Sequence, residues 1–334
     1  IISFDSLSNS INYDAYINKI DDVLIENKKN ICHLPNKLKY TDVTKINILI
    51  ENSDDWFLNF AKALKSKKIS ISSKYKKKFD ASLNVIYKNK IKCFHKARIR
   101  ISGDHKDHLS DKWLSSLDIS LVNGNINNIT KFKLFLPETR NNQNEIFSTL
   151  IMKELGFLAP STSFVDVNIN SFSNRYIFQE KIVKEFFERN SLREGPVIEF
   201  DERFMFGDKV YLDQRTDYLG FYRISNESWI SKSNNNYLIS KNILNLFNKN
   251  LINYHIQLEE SFNEHQIFFN QKNITKTDIK SVYEYNALLW ALNGQHGLRP
   301  SNRKYYYDNI NNKFYPIYYD GDASILESDS NKFN

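Results

Sequence analysis

From Ala81 onward the chain alternates apolar and polar residues at a period of two, first in SLNVIY and again in FHKARIRIS, which predicts two half-buried strands. A third strand is expected at Leu117–Val122, and a fourth at Lys131–Pro137, where lysines alternate with apolar residues and so share one face. The period then changes to that of a helix at Gln143–Leu155. Asn142 stands at its N-cap with Glu145 three residues on, Ile146, Phe147, Leu150, Ile151 and Leu155 form the expected buried stripe, and Gly156 closes it. Two strands follow, Ser163–Asn168 and Arg175–Lys181, with a turn at Asn170–Asn174.

Before this block, helical patterns fall at about Tyr13–Glu26 and Asp55–Lys65, with a strand at Lys45–Glu51 between them. After it come helices at Phe186–Asn190, Leu238–Phe247, Ile252–Phe268 and Asp278–Leu292. The last of these carries its core stripe on Val282, Tyr285, Leu288, Leu289 and Leu292. Two final strand-like runs, Arg303–Tyr307 and Lys313–Tyr319, deliver Asp320-Gly321-Asp322.

Composition narrows the class. With 334 residues, 41% of them hydrophobic, and only 9 Gly and 6 Pro, the chain is globular rather than fibrous or disordered, and long enough for two lobes. The net charge of +7 favours anionic partners without naming one. Seven lysines crowd into Lys65–Lys78, but without interleaved arginine they read as a solvated face, and no nucleic-acid partner is expected. The two cysteines, Cys32 and Cys93, have no metal-ligand spacing; they are expected as buried thiols, with a single disulfide as the alternative. No apolar run of about 18 residues exists to span a membrane. The chain starts at Ile1 without Met and reads as a fragment or processed product.

Three places carry candidate chemistry. The loop Ser102–His108 reads as a phosphate-covering turn, with Gly103 admitting close backbone approach and Lys106 or Lys112 supplying charge. Its other readings are a solvated hairpin loop and, as a weaker alternative, a metal site on Asp104, His105, Asp107 and His108 usable by a hydrolase. Lys131, or else Lys133, can pair with Glu145 on the following helix to hold phosphates. The closing stretch sets His296, Arg299 and Asn302 in a loop before Asp320 and Asp322, a combination suited to a hard cation beside a phosphate. The acidic run Glu194, Glu199, Asp201 and Glu202 is expected at a rim.

The segments ARIRISGDHKDHLSDKW, FKLFLPETRNNQNE, FQEKIVKEFFERNSLREGPVIEFDE and HGLRPSNRKYYYD…FYPIYYDGD, spread over about two thirds of the chain, resemble the CotH kinase family of spore-coat-type atypical kinases, and in particular a bacterial CotH-like subgroup of uncertain role. The resemblance implies an α+β, atypical protein-kinase-like two-lobe fold. Residues 1–80 would be an N-terminal extension, 81–184 the small lobe, and 185–334 a large lobe cut short at its end. It implies ATP with Mg2+ or Mn2+, a protein or surface acceptor, and a secreted or cell-surface setting. Asp320 matches the family's metal-binding aspartate, Asn302 its catalytic-loop asparagine and Glu180 the acidic residue at the crossover between lobes; Asp322 would assist at the metal. The family's catalytic aspartate is replaced by Asn293, which cannot act as a base, leaving His296 as the substitute. The alternative is an inactive kinase-like protein that binds a partner.

Overall fold

In β3 (Lys92–Ile101), Cys93, His95, Ala97, Ile99 and Ile101 are buried while the residues between them are not, and this alternation repeats around a closed wall of strands. The computed structural model describes residues 39–67, 70–202, 221–257 and 276–325. The wall comprises β1 (Val43–Ile50), β2 (Phe79–Tyr87), β3, β4 (Leu117–Leu121), β5 (Lys131–Phe135), β6 (Thr162–Ile169) and β7 (Phe172–Glu180). They form a seven-stranded barrel in the order β1-β2-β3-β4-β5-β7-β6. All neighbours are antiparallel except β1 and β6, which run parallel with Ile46 opposite Val167. Ile48, Leu83, Val85, Ile99, Phe132 and Val167 belong to one buried cluster, onto which α1 (Ser53–Lys65) packs Trp56, Phe60 and Ala63. A barrel of this size is filled by its own side chains.

The expected kinase-like two-lobe fold is overturned. The strands between residues 79 and 180 appear where the periodicity puts them, but β1, assigned to an extension, pairs with both β2 and β6 and closes the sheet into a barrel. The second unit is also built around strands, in a four-stranded antiparallel sheet of order β11-β10-β8-β9, with β8 (Val197–Phe200), β9 (Tyr222–Ile224), β10 (Lys304–Asp308) and β11 (Lys313–Ile317). Among the described residues there are six α-helices, too few and too dispersed for a helical lobe. They are α1, α2 (Gln143–Glu154), α3 (Lys184–Arg189), α4 (Glu227–Ile230), α5 (Asn234–Gln257) and α6 (Lys276–Ala291). Phe247 of α5 and Val282 of α6 pack with Tyr305 and Phe314 of the sheet. The stretch expected as Leu238–Phe247 is thus part of one longer helix. Tyr13–Glu26 and most of Ile252–Phe268 lie outside the described residues.

α2 joins the two units, and its buried face is shifted from the expected stripe, of which only Ile146 and Ile151 are half-buried. Asn144, Glu145, Ser148, Thr149 and Met152 are buried, whereas Phe147, Leu150 and Leu155 are exposed. The reason is what the helix faces: Asn144 Oδ1 accepts the Ile325 amide at 3.1 Å, and Tyr318 donates to Glu145. Nor does Asn142 cap the helix with its side chain, since its backbone takes a left-handed φ of 55°. Cys93 is disulfide-bonded rather than a free thiol, and Cys32 lies outside the described residues. Among the described residues no helix is long and apolar enough to cross a membrane.

Candidate functional site

Where the barrel meets the sheet, three distant parts of the chain bring charged side chains together. β5 supplies Lys133. The 3-10 turn Pro137–Arg140, closed by Asn141 in the left-handed region (φ 51°), presents Arg140. The segment following β11 supplies Tyr318, Tyr319 and Asp320. Arg140 forms a buried ion pair with Asp320, and its guanidinium lies 4.3 Å from the Phe135 ring centroid. Asn141 Nδ2 donates to Ala323 O at 2.6 Å, so the turn grips the segment on both sides of Gly321. A Cβ on Gly321 would meet the Tyr318 hydroxyl at 2.6 Å, and only glycine allows that approach.

Beneath the Arg140–Asp320 pair, Glu145 is fully enclosed. Gln179 Nε2 donates to one of its oxygens at 2.7 Å and the Tyr318 hydroxyl to the other at 2.9 Å. Burial raises the Glu145 pKa despite the opposing charge of Arg140. Asp320 goes the other way: burial pushes it up, but Arg140, then His296 and Lys133, outweigh burial and hold it below the usual carboxylate range. Lys133 is brought down to about 8, chiefly by burial, against the pull of Asp118. Asp118 itself accepts from Lys181 at 2.9 Å and from Arg100 at 2.7 Å. On the sheet side Lys304 pairs with Glu199 and lies 4.2 Å from the Tyr319 ring centroid. Glu202 is lifted by burial to about 7.

The loop carrying His296 and Asn302 joins this site. Asn302 is buried and donates to the His296 carbonyl at 2.9 Å, and Gly297 packs against Gly321. Asp320, His296 and Asn302 are therefore gathered in one place, while Asp322 is exposed at its edge and Arg299 is exposed as well. Lys131 is exposed and makes no pair with Glu145, whose partners are Gln179 and Tyr318. The strand's alternation puts Lys131 and Lys133 on one face, but only Lys133 is half-buried. Glu180 is buried elsewhere, paired with Arg189.

In the Ser102–His108 loop the candidate side chains have separate surroundings. Gly103 has φ of 94° and packs on the His108 ring, where an added Cβ would come within 1.9 Å. Lys106 donates to Leu64 O at 3.0 Å and so caps the C-terminal end of α1; Lys112 is exposed. Asp104 pairs with Lys76, Asp107 is exposed, and His108 Nδ1 lies 2.9 Å from Ser116 Oγ with its pKa lowered to about 4 by burial. Among the described residues no group of three or more His, Cys, Asp and Glu is placed to hold a metal.

Sequence reasoning missed Arg140, Gln179 and Tyr318. The Asn-Asn pair after Arg140 is the available signal, because asparagine tolerates the left-handed backbone that aims a turn. No protein-family model matches the chain, and no curated protein matches it at a significant level.

Proposed function

We propose that the cluster of charged side chains around Asp320 receives the phosphates of ATP and that the protein is an ATP- and divalent-metal-dependent phosphotransferase acting on a protein or surface-borne hydroxyl. The observation that carries this reading is the meeting of Asp320, Arg140, Lys133, Glu145 and His296 at one buried place. Arg140 offers the planar fork that suits phosphate oxygens, and Lys133, rather than Lys131, supplies the second cation. Asp320, Asn302 and Asp322 are oxygen donors of the kind hard cations take. A donor set this short fits Mg2+ or Mn2+, because Mg2+ completes its shell with phosphate oxygens and water. Bound there, the metal would neutralise phosphate charge. In the transfer, the acceptor oxygen attacks the γ-phosphorus, the bond from that phosphorus to the ADP oxygen breaks, and His296 takes the acceptor's proton. The disulfide at Cys93 supports an oxidising, extracytoplasmic setting.

One observation favours a second reading, a partner-binding protein without catalysis: the Asp320 carboxylate is already engaged by Arg140. Calorimetric titration of ATP with and without Mg2+ or Mn2+, on the wild type and on Asp320→Ala, separates the two. The transferase reading expects metal-dependent binding that weakens at least about tenfold in the variant. Absence of ATP binding under every condition would remove it and leave the partner-binding protein.

A further inference from the structure

A cavity of about 680 Å³ opens beyond the C-terminal end of α2, a volume in the range of small-molecule sites. It lies apart from the Asp320 cluster: Lys153, on its wall, is eight residues past Glu145, about 12 Å of helical rise. Lys153 Nζ donates to Ser161 Oγ at 3.0 Å, and Arg189 Nη2 donates to the same oxygen at 2.6 Å. Two cations thus converge on one small hydroxyl. Arg189 also pairs with Glu180, whose oxygen accepts the Ser161 amide at 3.2 Å. The other Glu180 oxygen and Arg189 Nε are buried without a hydrogen-bond partner. The rest of the wall is mixed, with Phe157, Leu158, Leu192 and Tyr315 beside the amides of Asn127, Asn128 and Asn190.

The charges decide the ligand class. Among the described residues, Lys153 and Arg189 against Glu180 leave one net positive charge, which a single anionic group balances. Both cations also occupy the last turn of their helices, α2 and α3. A phosphate would meet no helix N-terminus there, and the apolar part of the wall would be wasted on it. We propose that this cavity binds an organic carboxylate with an apolar body, the carboxylate seated on Lys153 and Arg189 and the body against Phe157, Leu158, Leu192 and Tyr315. Burial, with Arg189 adding to it and Glu180 opposing, lowers the Lys153 pKa to about 8, so the protonated lysine that the ligand needs is lost as pH rises through that value.

The test is titration of the whole chain with 3-phenylpropionate, acetate and inorganic phosphate, followed by calorimetry. Saturable binding of 3-phenylpropionate is expected, at least about tenfold tighter than acetate and tighter than phosphate. It should weaken about tenfold or more in Lys153→Met and fall as the pH is raised from about 7 to about 9.5. Arg189→Lys keeps the charge beside Glu180 and so the fold, yet loses the fork and should also bind less tightly. Failure of every carboxylate to saturate, phosphate binding as tightly as 3-phenylpropionate, or wild-type affinity in folded Lys153→Met would each overturn the assignment.

Discussion

Replacing Arg140 tests whether the ion pair with Asp320 holds the two units in register. Only 9% of the Arg140 side chain and 19% of the Asp320 side chain reach solvent, so removing one partner strands the other in a poorly hydrated place. Breaking a buried pair in this way costs about 3–5 kcal/mol. Water can still reach Asp320, which places Arg140→Met near the lower end. Lost cation–π contact with Phe135 adds about 0.5–1 kcal/mol. Asp320→Asn is the partner substitution, because Asp320 has φ of 50° and asparagine is the residue that tolerates that backbone. The double variant strands no charge, so its loss should fall short of the sum of the singles by about 2 kcal/mol. Urea unfolding of the four proteins, with constant m-values, measures this. The pH dependence supplies a second sign. With Arg140 present, the depressed Asp320 pKa gives stability above the unfolded aspartate value of about 3.9, lost as pH falls through the lower folded value. Without Arg140, burial is opposed only by His296 and Lys133, so that pKa moves up and the stability it gives at neutral pH shrinks. The gap between wild type and Arg140→Met should therefore be wide at neutral pH and close in acid. A coupling energy under about 0.5 kcal/mol, or a gap independent of pH, would refute the reasoning.

Two further outcomes follow from burial. Glu145→Gln should gain on the wild type as pH rises: the raised Glu145 pKa means its contribution is present below the unfolded value of about 4.3 and lost as pH climbs through the folded one. Thermal midpoints across acid and neutral pH check it, and a constant difference counts against the claim. Phe60→Ala should cost about 3–5 kcal/mol, because α1 is part of the barrel core. A loss under about 1 kcal/mol in urea would return residues 43–65 to the status of a loosely packed extension.

Element identity was largely legible in the sequence, and arrangement was not. β2 to β7, α1, α2 and α6 stand within a few residues of their expected places, since each is announced by a local period and a local stop signal. Closure of the barrel depends on Ile46 meeting Val167, more than a hundred residues apart, and no local pattern carries that pairing. The same limit explains Lys131 and Lys133: alternation puts both on one face, and no local pattern shows that Asp118, Arg140, Lys181 and Lys304 gather around Lys133. Asp320, Asn302 and His296 could be grouped from the sequence because they fall close together in the chain. Arg140 could not, because its partner lies 180 positions away.

The buried face of helix α2 shows what the site asks of the fold. Apolar packing is non-directional, and on its own it would let the segment after β11 settle in several neighbouring positions. Here the inward face of α2 instead offers Asn144 to the Ile325 amide and Glu145 to the Tyr318 hydroxyl, while Asn141, just before it, reaches the Ala323 carbonyl. Each bond has one partner, so the segment has one register, and Asp320 is placed between bonded neighbours on either side. Met152 packs with Leu289 and Tyr318 in the same cluster and supplies the burial. Phe147, Leu150 and Leu155 are left in solvent because the positions that would have buried them are occupied by the polar contacts that fix Asp320. The orientation of α2 thus ties the segment carrying Asp320 to the turn carrying Arg140 in one geometry, as the proposed phosphate site would require of fixed charges.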